Sequence, residues 1–111
     1  MEDCIFCKIA SGEINTDLIY EDEDVVAFRD INPQAPFHVL LIPRIHISSI
    51  KEEIKNKSLI GKMFLAGNQI AKKNGIEDFR YIINTGEQAG QTVFHLHLHL
   101  LGGRVMNWPP G

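Results

Sequence analysis

The chain has 111 residues, of which 44% are apolar and 23% charged, and its formal net charge is -3 at pH 7. This length supports one domain, residues 1–111, and is too short for two. The acidic balance argues against a protein that binds nucleic-acid backbones, which would need a basic surface, so we expect a small ligand. Without an apolar run of about 18 residues or a basic leader after Met1, the chain is expected in the cytoplasm, with no membrane segment.

The N-terminus carries a cysteine pair on a short predicted helix. Apolar residues recur there at helical spacing, and Ser11-Gly12 follows as a stop signal, which predicts a helix over residues 3–10. Cys4 and Cys7 are typical of metal or redox chemistry in a reducing compartment, rather than of a structural disulfide. They form half of a four-ligand zinc site, while two buried free thiols or a redox pair stay open as alternatives.

A hairpin and a central strand are predicted next. Two β-prone segments flank the acidic residues 21–24 and predict a strand-turn-strand unit over residues 18–29. Asp30 then opens a loop with two prolines, where capping the loop is its commoner role. The apolar run over residues 38–43 predicts a central strand covered on both faces. His38 begins this strand, a position where a single histidine is more often structural.

One long helix is followed by a strand and a glycine-rich loop. An apolar stripe at three- and four-residue steps predicts the helix over residues 56–73, and Asn74-Gly75 suits its C-cap. Residues 79–85 predict a strand, and residues 86–92 form the loop after it. Glycines allow backbone N–H groups to surround an anion, so this loop is a candidate phosphate cradle, although such loops are usually only turns.

Histidine and leucine alternate over residues 94–101, where three of the five histidines occur: His95, His97 and His99. Strict alternation predicts a half-buried strand with one imidazole face. Residues two apart in a strand are about 6.6 Å apart, so one zinc could bind two neighbouring rings but hardly all three. We therefore expect the rings to have different roles. The order of elements predicts an α+β fold, in which a mainly antiparallel five-stranded sheet packs against the long helix and a short helix precedes it.

The triad at residues 95–99, followed by two leucines, resembles the signature of the histidine triad family of nucleotide hydrolases and transferases. The resemblance extends to Asp30-Ile-Asn-Pro, to the Pro-Arg-Ile segment before His46 and to the closing Trp108-Pro-Pro-Gly. It covers essentially the whole chain and indicates the histidine triad nucleotide-binding (Hint) branch. It implies a homodimer with a continuous ten-stranded sheet, in which the Trp108 tail reaches the partner's site.

The resemblance also implies a metal site. In family members with such a cysteine pair, zinc is completed by the histidine of the Pro-x-x-His segment and by the first histidine of the triad. Four protein ligands leave no coordination position for a substrate, so this zinc would be structural and no metal would be needed for catalysis. The implied ligands are Cys4, Cys7, His46 and His95.

A nucleotide site follows from the same resemblance. The carboxylate of Asp30 would accept hydrogen bonds from ribose hydroxyls, and His38 would support the triad. The residues implied around the scissile phosphate are Asn84, Gly90, Gln91, Thr92, His97 and His99. The apolar wall implied for the base consists of Ile5, Phe6, Ile9, Phe28 and Ile31.

The implied reaction is a two-step nucleotidyl transfer to water. His97 would attack the α-phosphorus of a purine nucleoside phosphoramidate, of the AMP-lysine or aminoacyl-adenylate type. An acceptor must then hold the second ring N–H of His97, while His99 and Thr92 stabilise charge on the phosphoryl oxygens. Two alternatives stay open: a dinucleoside polyphosphate hydrolase, against which the Trp-Pro-Pro-Gly ending argues, and a non-catalytic nucleotide-binding module that holds a partner protein.

Overall fold

A five-stranded antiparallel sheet carries the two α-helices of the described residues. The computed structural model describes residues 3–111. Met1 and Glu2, which contribute to the expectation that the chain has no basic leader, lie outside the described residues. The strand order is β1-β2-β3-β5-β4, and every neighbouring pair is antiparallel, which confirms the predicted α+β fold. In chain order the elements are α1 (Ile5–Ser11), β1 (Leu18–Glu21), β2 (Val25–Arg29), β3 (Phe37–Pro43), α2 (Leu59–Lys73), β4 (Phe79–Ile82), a 3-10 turn (Glu87–Ala89) and β5 (Leu98–Gly102).

Each helix covers one face of the sheet. Every residue of β3 is buried, as predicted for a strand covered on both sides. Val39 and Leu41 pack into the cluster under α2, whereas Leu40 packs into the cluster under α1. Because side chains alternate along a strand, His38 shares the α1 face with Leu40. Leu40 is paired with His99 of β5, so both histidines lie on the same side of the sheet.

The cysteine pair lies at the start of α1. The thiol of Cys4 caps the helix by accepting a hydrogen bond from the N–H of Cys7 at 3.3 Å. The helix ends at Gly12, whose φ of 83° is the left-handed conformation that glycine adopts most readily. The predicted N-terminal helix is thus confirmed, with its ends shifted by one or two residues. Neither helix in the described part of the chain has the length and apolarity needed to cross a bilayer.

The start of α2 differs from the prediction. The helix begins at Leu59 and not at Asn56. The side-chain oxygen of Asn56 accepts hydrogen bonds from the N–H and the hydroxyl of Ser58, at 3.2 and 2.7 Å. Asparagine side chains that bind the backbone two residues ahead stabilise turns in competition with helix, so the chain turns before the helix begins.

The triad strand is shorter than its alternation predicts. β5 begins at Leu98, so His95 and His97 precede the strand and the prediction over residues 94–101 is wrong in its N-terminal half. Sheet pairing stops because other groups bind where it would continue: the carbonyl of Pro43 lies 2.8 Å from the ring of His95, and the N–H of Leu96 donates to the carbonyl of Ile47 at 2.6 Å. β4 shortens with it and ends at Ile82, which pairs with His99.

Gly67 of α2 allows the helix to lie close to β4. A methyl group at this position would overlap the ring and hydroxyl of Tyr81. We expect Gly67→Ala to lower the free energy of unfolding by about 1–3 kcal/mol, although alanine is the better helix former. Urea unfolding measures this. Gly61→Ala, in the same helix with open space around it, is the matched control and should stabilise the protein by about 1 kcal/mol. A Gly67→Ala protein as stable as the wild type would contradict the prediction.

Candidate active site and metal centre

The three triad rings lie together on the α1 side of the sheet. Phe6 of α1 packs edge-on against His95 and His97, with ring centroids 6.0 and 5.2 Å apart. The centroids of His97 and His99 are 5.0 Å apart. His95 is fully buried and His97 is 7% exposed. The imidazole face predicted from the alternation is therefore present, although only His99 belongs to the strand itself.

His97 is held in one tautomer by its own backbone. Its Nδ1 lies 2.8 Å from the carbonyl oxygen of His95. A carbonyl oxygen can only accept a hydrogen bond, so Nδ1 carries the proton and donates it. The neutral ring then keeps a free lone pair on Nε2. This carbonyl is the acceptor that the proposed nucleophile was predicted to need.

His99 is held in the opposite tautomer through His38. The backbone N–H of Gln34 donates to Nδ1 of His38 at 3.0 Å, so neutral His38 carries its proton on Nε2. That N–H faces Nδ1 of His99 at 2.9 Å and a carboxylate oxygen of Asp30 at 3.4 Å. Nδ1 of His99 therefore accepts, and the proton of this ring lies on Nε2. Within residues 3–111 this buried Nε2 has no hydrogen-bond partner, so the ring keeps one unsatisfied N–H donor.

The hydrogen bonds from the Gln34 amide to His38 and from His38 to His99 form a relay. Both of its histidines are neutral at physiological pH. The pKa of His99 is lowered to about 4, mainly by burial and to a smaller extent by His97 and His38, whereas Asp30 acts in the opposite direction. Burial also lowers the pKa of His38, again opposed by Asp30. Desolvation disfavours the charged imidazolium, so the neutral tautomers assigned from the hydrogen bonds are the relevant forms.

The lowered pKa of His99 predicts an acid-dependent loss of stability. The ordinary value is 6.5, whereas the folded value is about 4, so the unfolded chain binds a proton that the folded chain does not between these values. We expect the free energy of unfolding to decrease as the pH is lowered from 6.5 to about 4, with this ring contributing up to about 1.4 kcal/mol per pH unit. Below about pH 4 the ring is protonated in both states, so its contribution to the pH dependence ends. Urea unfolding over a pH series checks this. His99→Gln should flatten the profile, and a profile parallel to wild type would contradict the prediction.

The four predicted metal ligands converge at the start of α1. Nδ1 of His95 lies 3.3 Å from Sγ of Cys4 and 3.5 Å from Sγ of Cys7, and Nδ1 of His46 lies 3.3 Å from Sγ of Cys7. All four atoms lie within 4.8 Å of one another. Tetrahedral zinc separates a thiolate sulfur from an imidazole nitrogen by about 3.6 Å. Nε2 of His95 donates to the carbonyl of Pro43, so its Nδ1 presents a lone pair to the thiols. Geometry and donor set fit one zinc ion.

A second group of potential ligands does not fit a metal ion. Single oxygen and nitrogen atoms of Asp30, His38 and His99 also lie within 4.8 Å of one another. However, Nδ1 of His38 accepts the N–H of Gln34, so metal binding at Nε2 would require an imidazolate. The group is better described as a hydrogen-bond relay that ends at His99.

The residues predicted to wall the base fall into two sets. Phe6, Ile9 and Phe28 are 5–7% exposed and belong to the cluster under α1. Ile5 is 49% exposed and Ile31 is 101% exposed. Ile5 and Ile31 lie outside this cluster, so the structure does not bring the five side chains together as one buried wall.

The glycine-rich loop is held in place by Gln91, which is 2% exposed. Its side-chain oxygen accepts the N–H of Gly86 at 2.9 Å. Its amide nitrogen donates to the carbonyls of Ser48 and Val93 at 2.8 and 3.2 Å. In this arrangement the side chain orders the loop that leads to the histidines, and Thr92 at its end is exposed.

A cleft of about 740 Å³ opens beside the relay. His38, His99 and Asn84 line it, together with Trp108 from the C-terminal tail. The guanidinium of Arg80 lies 5.9 Å from the ring centroid of Trp108. Sequence reasoning did not predict that the tail of the same chain borders this cleft, nor the role of the Gln34 amide, because neither carries a local signal.

Comparisons with known proteins show the family of this chain. A family model described as scavenger mRNA decapping enzyme C-terminal binding matches residues 3–107. The 14 kDa zinc-binding protein of Brassica juncea is 46% identical over 98% of this chain and 100% of its own. Adenylylsulfatase HINT1 of Arabidopsis thaliana is 46% identical over 96% of this chain and 76% of its own. The crystal structure of a HIT family hydrolase from Legionella pneumophila is 44% identical, with a TM-score of 0.94 over 98% of this chain and 100% of that one. The chain belongs to the histidine triad family, in its nucleotide-binding (Hint) branch.

Proposed function

We propose that this protein is a nucleotide hydrolase that cleaves purine nucleoside phosphoramidates through a nucleotidyl intermediate on His97. The observation that carries this proposal is the pair of opposite tautomers. His97 keeps a lone pair on Nε2 because its Nδ1 donates to a carbonyl, and His99 keeps a proton on Nε2 because its Nδ1 accepts from His38. A nucleophilic nitrogen beside an unpaired N–H donor is what attack on a phosphoryl group requires.

The reaction has two displacements at phosphorus. In the first, Nε2 of His97 attacks the α-phosphorus while the bond from phosphorus to the leaving nitrogen breaks, and that nitrogen takes a proton from solvent and departs as the amine. The hydrogen bond from Nδ1 to the carbonyl of His95 stabilises the positive charge that develops on the ring. In the second, water attacks phosphorus and releases a proton to solvent, the bond from phosphorus to Nε2 breaks, and His97 returns to its neutral Nδ1–H form. His99 and the hydroxyl of Thr92 stabilise charge on the phosphoryl oxygens in both, so these residues supply the chemistry without a divalent ion.

Zinc has a structural role in this proposal. Cys4, Cys7, His46 and His95 together supply four ligands, which completes tetrahedral coordination and leaves no position for substrate. A zinc ion bound by these four side chains would link the start of α1, the loop after β3 and the segment before β5. The name of the Brassica juncea relative supports zinc as the metal.

We also propose that the protein is a homodimer in the cytoplasm. β4 lies at one end of the sheet, and in the described chain its outer edge has no pairing partner. Two such edges would pair into a continuous ten-stranded sheet. Trp108, which is 81% exposed on the tail, would then lie near the partner. Sedimentation equilibrium tests the assembly, and a monomer at micromolar concentration would contradict it.

Single-turnover rates on two substrates test the activity. We expect an AMP-lysine phosphoramidate to react at least about 100-fold faster than a diadenosine polyphosphate, because the Trp108-Pro-Pro-Gly ending argues against a dinucleoside polyphosphate substrate. The reverse order would favour a dinucleoside polyphosphate hydrolase. Nucleotide binding without turnover of either substrate would favour a non-catalytic binding module.

A further inference from the structure

The proposed nucleophile lies on a backbone segment that the sheet does not hold. Pairing between β3 and β5 reaches only as far as Leu41 and Leu98, and His97 precedes that point. The segment is instead held by the N–H of Leu96, which donates to Ile47, and by the ring of His95, which donates to Pro43. The position of His97 therefore depends on how firmly its neighbours are fixed.

His95 connects the metal centre to the nucleophile through a single residue. Its Nδ1 faces the thiols of Cys4 and Cys7 at 3.3 and 3.5 Å, and its carbonyl oxygen accepts the Nδ1–H of His97 at 2.8 Å. The ring and the carbonyl move together when the backbone shifts. We infer that metal ligation by His95 positions His97, so that the zinc site fixes the tautomer and direction of the nucleophile; the catalytic consequence rests on the proposed function.

α1 provides a second connection of the same kind. Cys4 caps this helix, and Phe6 in its first turn packs edge-on against both His95 and His97. A seven-residue helix has little stability of its own, so its N-terminal turn depends on tertiary contacts. Ligation by the cysteines holds that turn, and with it the ring that closes over His97.

Without zinc, the ring of His95 can adopt a second tautomer, which ligation of zinc by its Nδ1 excludes. With zinc, Nδ1 of His95 must keep its lone pair, so its proton stays on Nε2 and the bond to Pro43 is retained. Without zinc, Nδ1 can instead carry the proton and donate to a cysteine sulfur. Nε2 would then face the Pro43 carbonyl with a lone pair, and the segment would move to relieve that contact. The hydrogen bond that fixes His97 would be weakened.

Nitrogen NMR of the histidine rings tests this inference without substrate. In the zinc-loaded protein, we expect His97 to be a single Nδ1–H tautomer. After zinc is removed by a chelator, or in Cys4→Ser, at least about a tenth of His97 should carry its proton on Nε2. Serine is a good helix N-cap, so this variant removes the ligand and retains the cap. Formation of the nucleotidyl enzyme should slow by about 10- to 100-fold, while the dissociation constant for AMP changes less than about threefold.

Two controls separate this role from general stability. Ile70→Val lies in the cluster under α2, on the opposite sheet face, and should lower stability without altering the His97 tautomer; a tautomer mixture there would overturn the inference. If Cys4→Ser does not fold, His46→Asn removes one ligand and leaves both thiols and His95. A metal-free protein that retains pure Nδ1–H His97 would also overturn the inference. Failure of the zinc-loaded wild type to turn over phosphoramidates would instead refute the proposed function, and leave the NMR result interpretable.

Discussion

His97→Ala is expected to reduce phosphoramidate turnover by about 10,000-fold or more, because removal of a covalent nucleophile eliminates the pathway and leaves only binding and charge stabilisation. AMP binding should weaken by less than about tenfold, since the base and ribose contacts are separate from Nε2. Rapid-quench kinetics and calorimetric titration with AMP measure the two effects.

The control for this variant lies on the same segment. Phe94 is half exposed and has no part in the proposed chemistry, so Phe94→Ala should retain turnover within about threefold. Turnover by His97→Ala at a rate near that of the wild type would show that another group attacks phosphorus.

His99→Phe is expected to lower kcat by about 100- to 1,000-fold, the usual effect of losing one donor that stabilises transition-state charge. Phenylalanine retains an aromatic ring in the partly buried position and removes the Nε2–H donor. KM should change little, because the donor acts on charge that develops during the reaction. Steady-state kinetics over a substrate range separates kcat from KM.

Ile82→Val is the matched control for His99→Phe. Ile82 is the cross-strand partner of His99 in β4, so a conservative change there perturbs the same part of the sheet without removing a polar group. Its kcat should stay within about threefold of wild type. An unchanged kcat in His99→Phe would mean that this ring does not stabilise the phosphoryl oxygens.

The fold follows from local patterns where those patterns are unambiguous. The apolar run of β3 and the stripe of α2 predict buried elements, and both are buried. The start of β5 could not be read from alternation, because the groups that stop its pairing come from Pro43 and Ile47, about fifty residues away in the chain. Alternation reports which side chains share a face, and it does so even where the backbone leaves the sheet.

The site was predictable as a set of residues, and less so as a set of roles. The triad and the cysteine pair are visible in the sequence, and the resemblance supplied His46 as a fourth ligand. The tautomers were not visible, because they depend on the Gln34 amide and on a contact between His38 and His99 across 61 positions. Gln91 likewise reads as a phosphate contact by resemblance, whereas its side-chain polar groups bind the protein itself.

The most direct test of covalent attack by His97 is to isolate the intermediate. The wild-type protein is mixed with an AMP-lysine phosphoramidate in a single turnover and quenched in alkaline denaturant, in which a phosphorus–nitrogen bond to histidine survives. Peptide mapping by mass spectrometry is predicted to find the added nucleoside monophosphate on His97, and to find none in His97→Ala. Product formed without any adduct, or an adduct on His99 instead, would contradict the account.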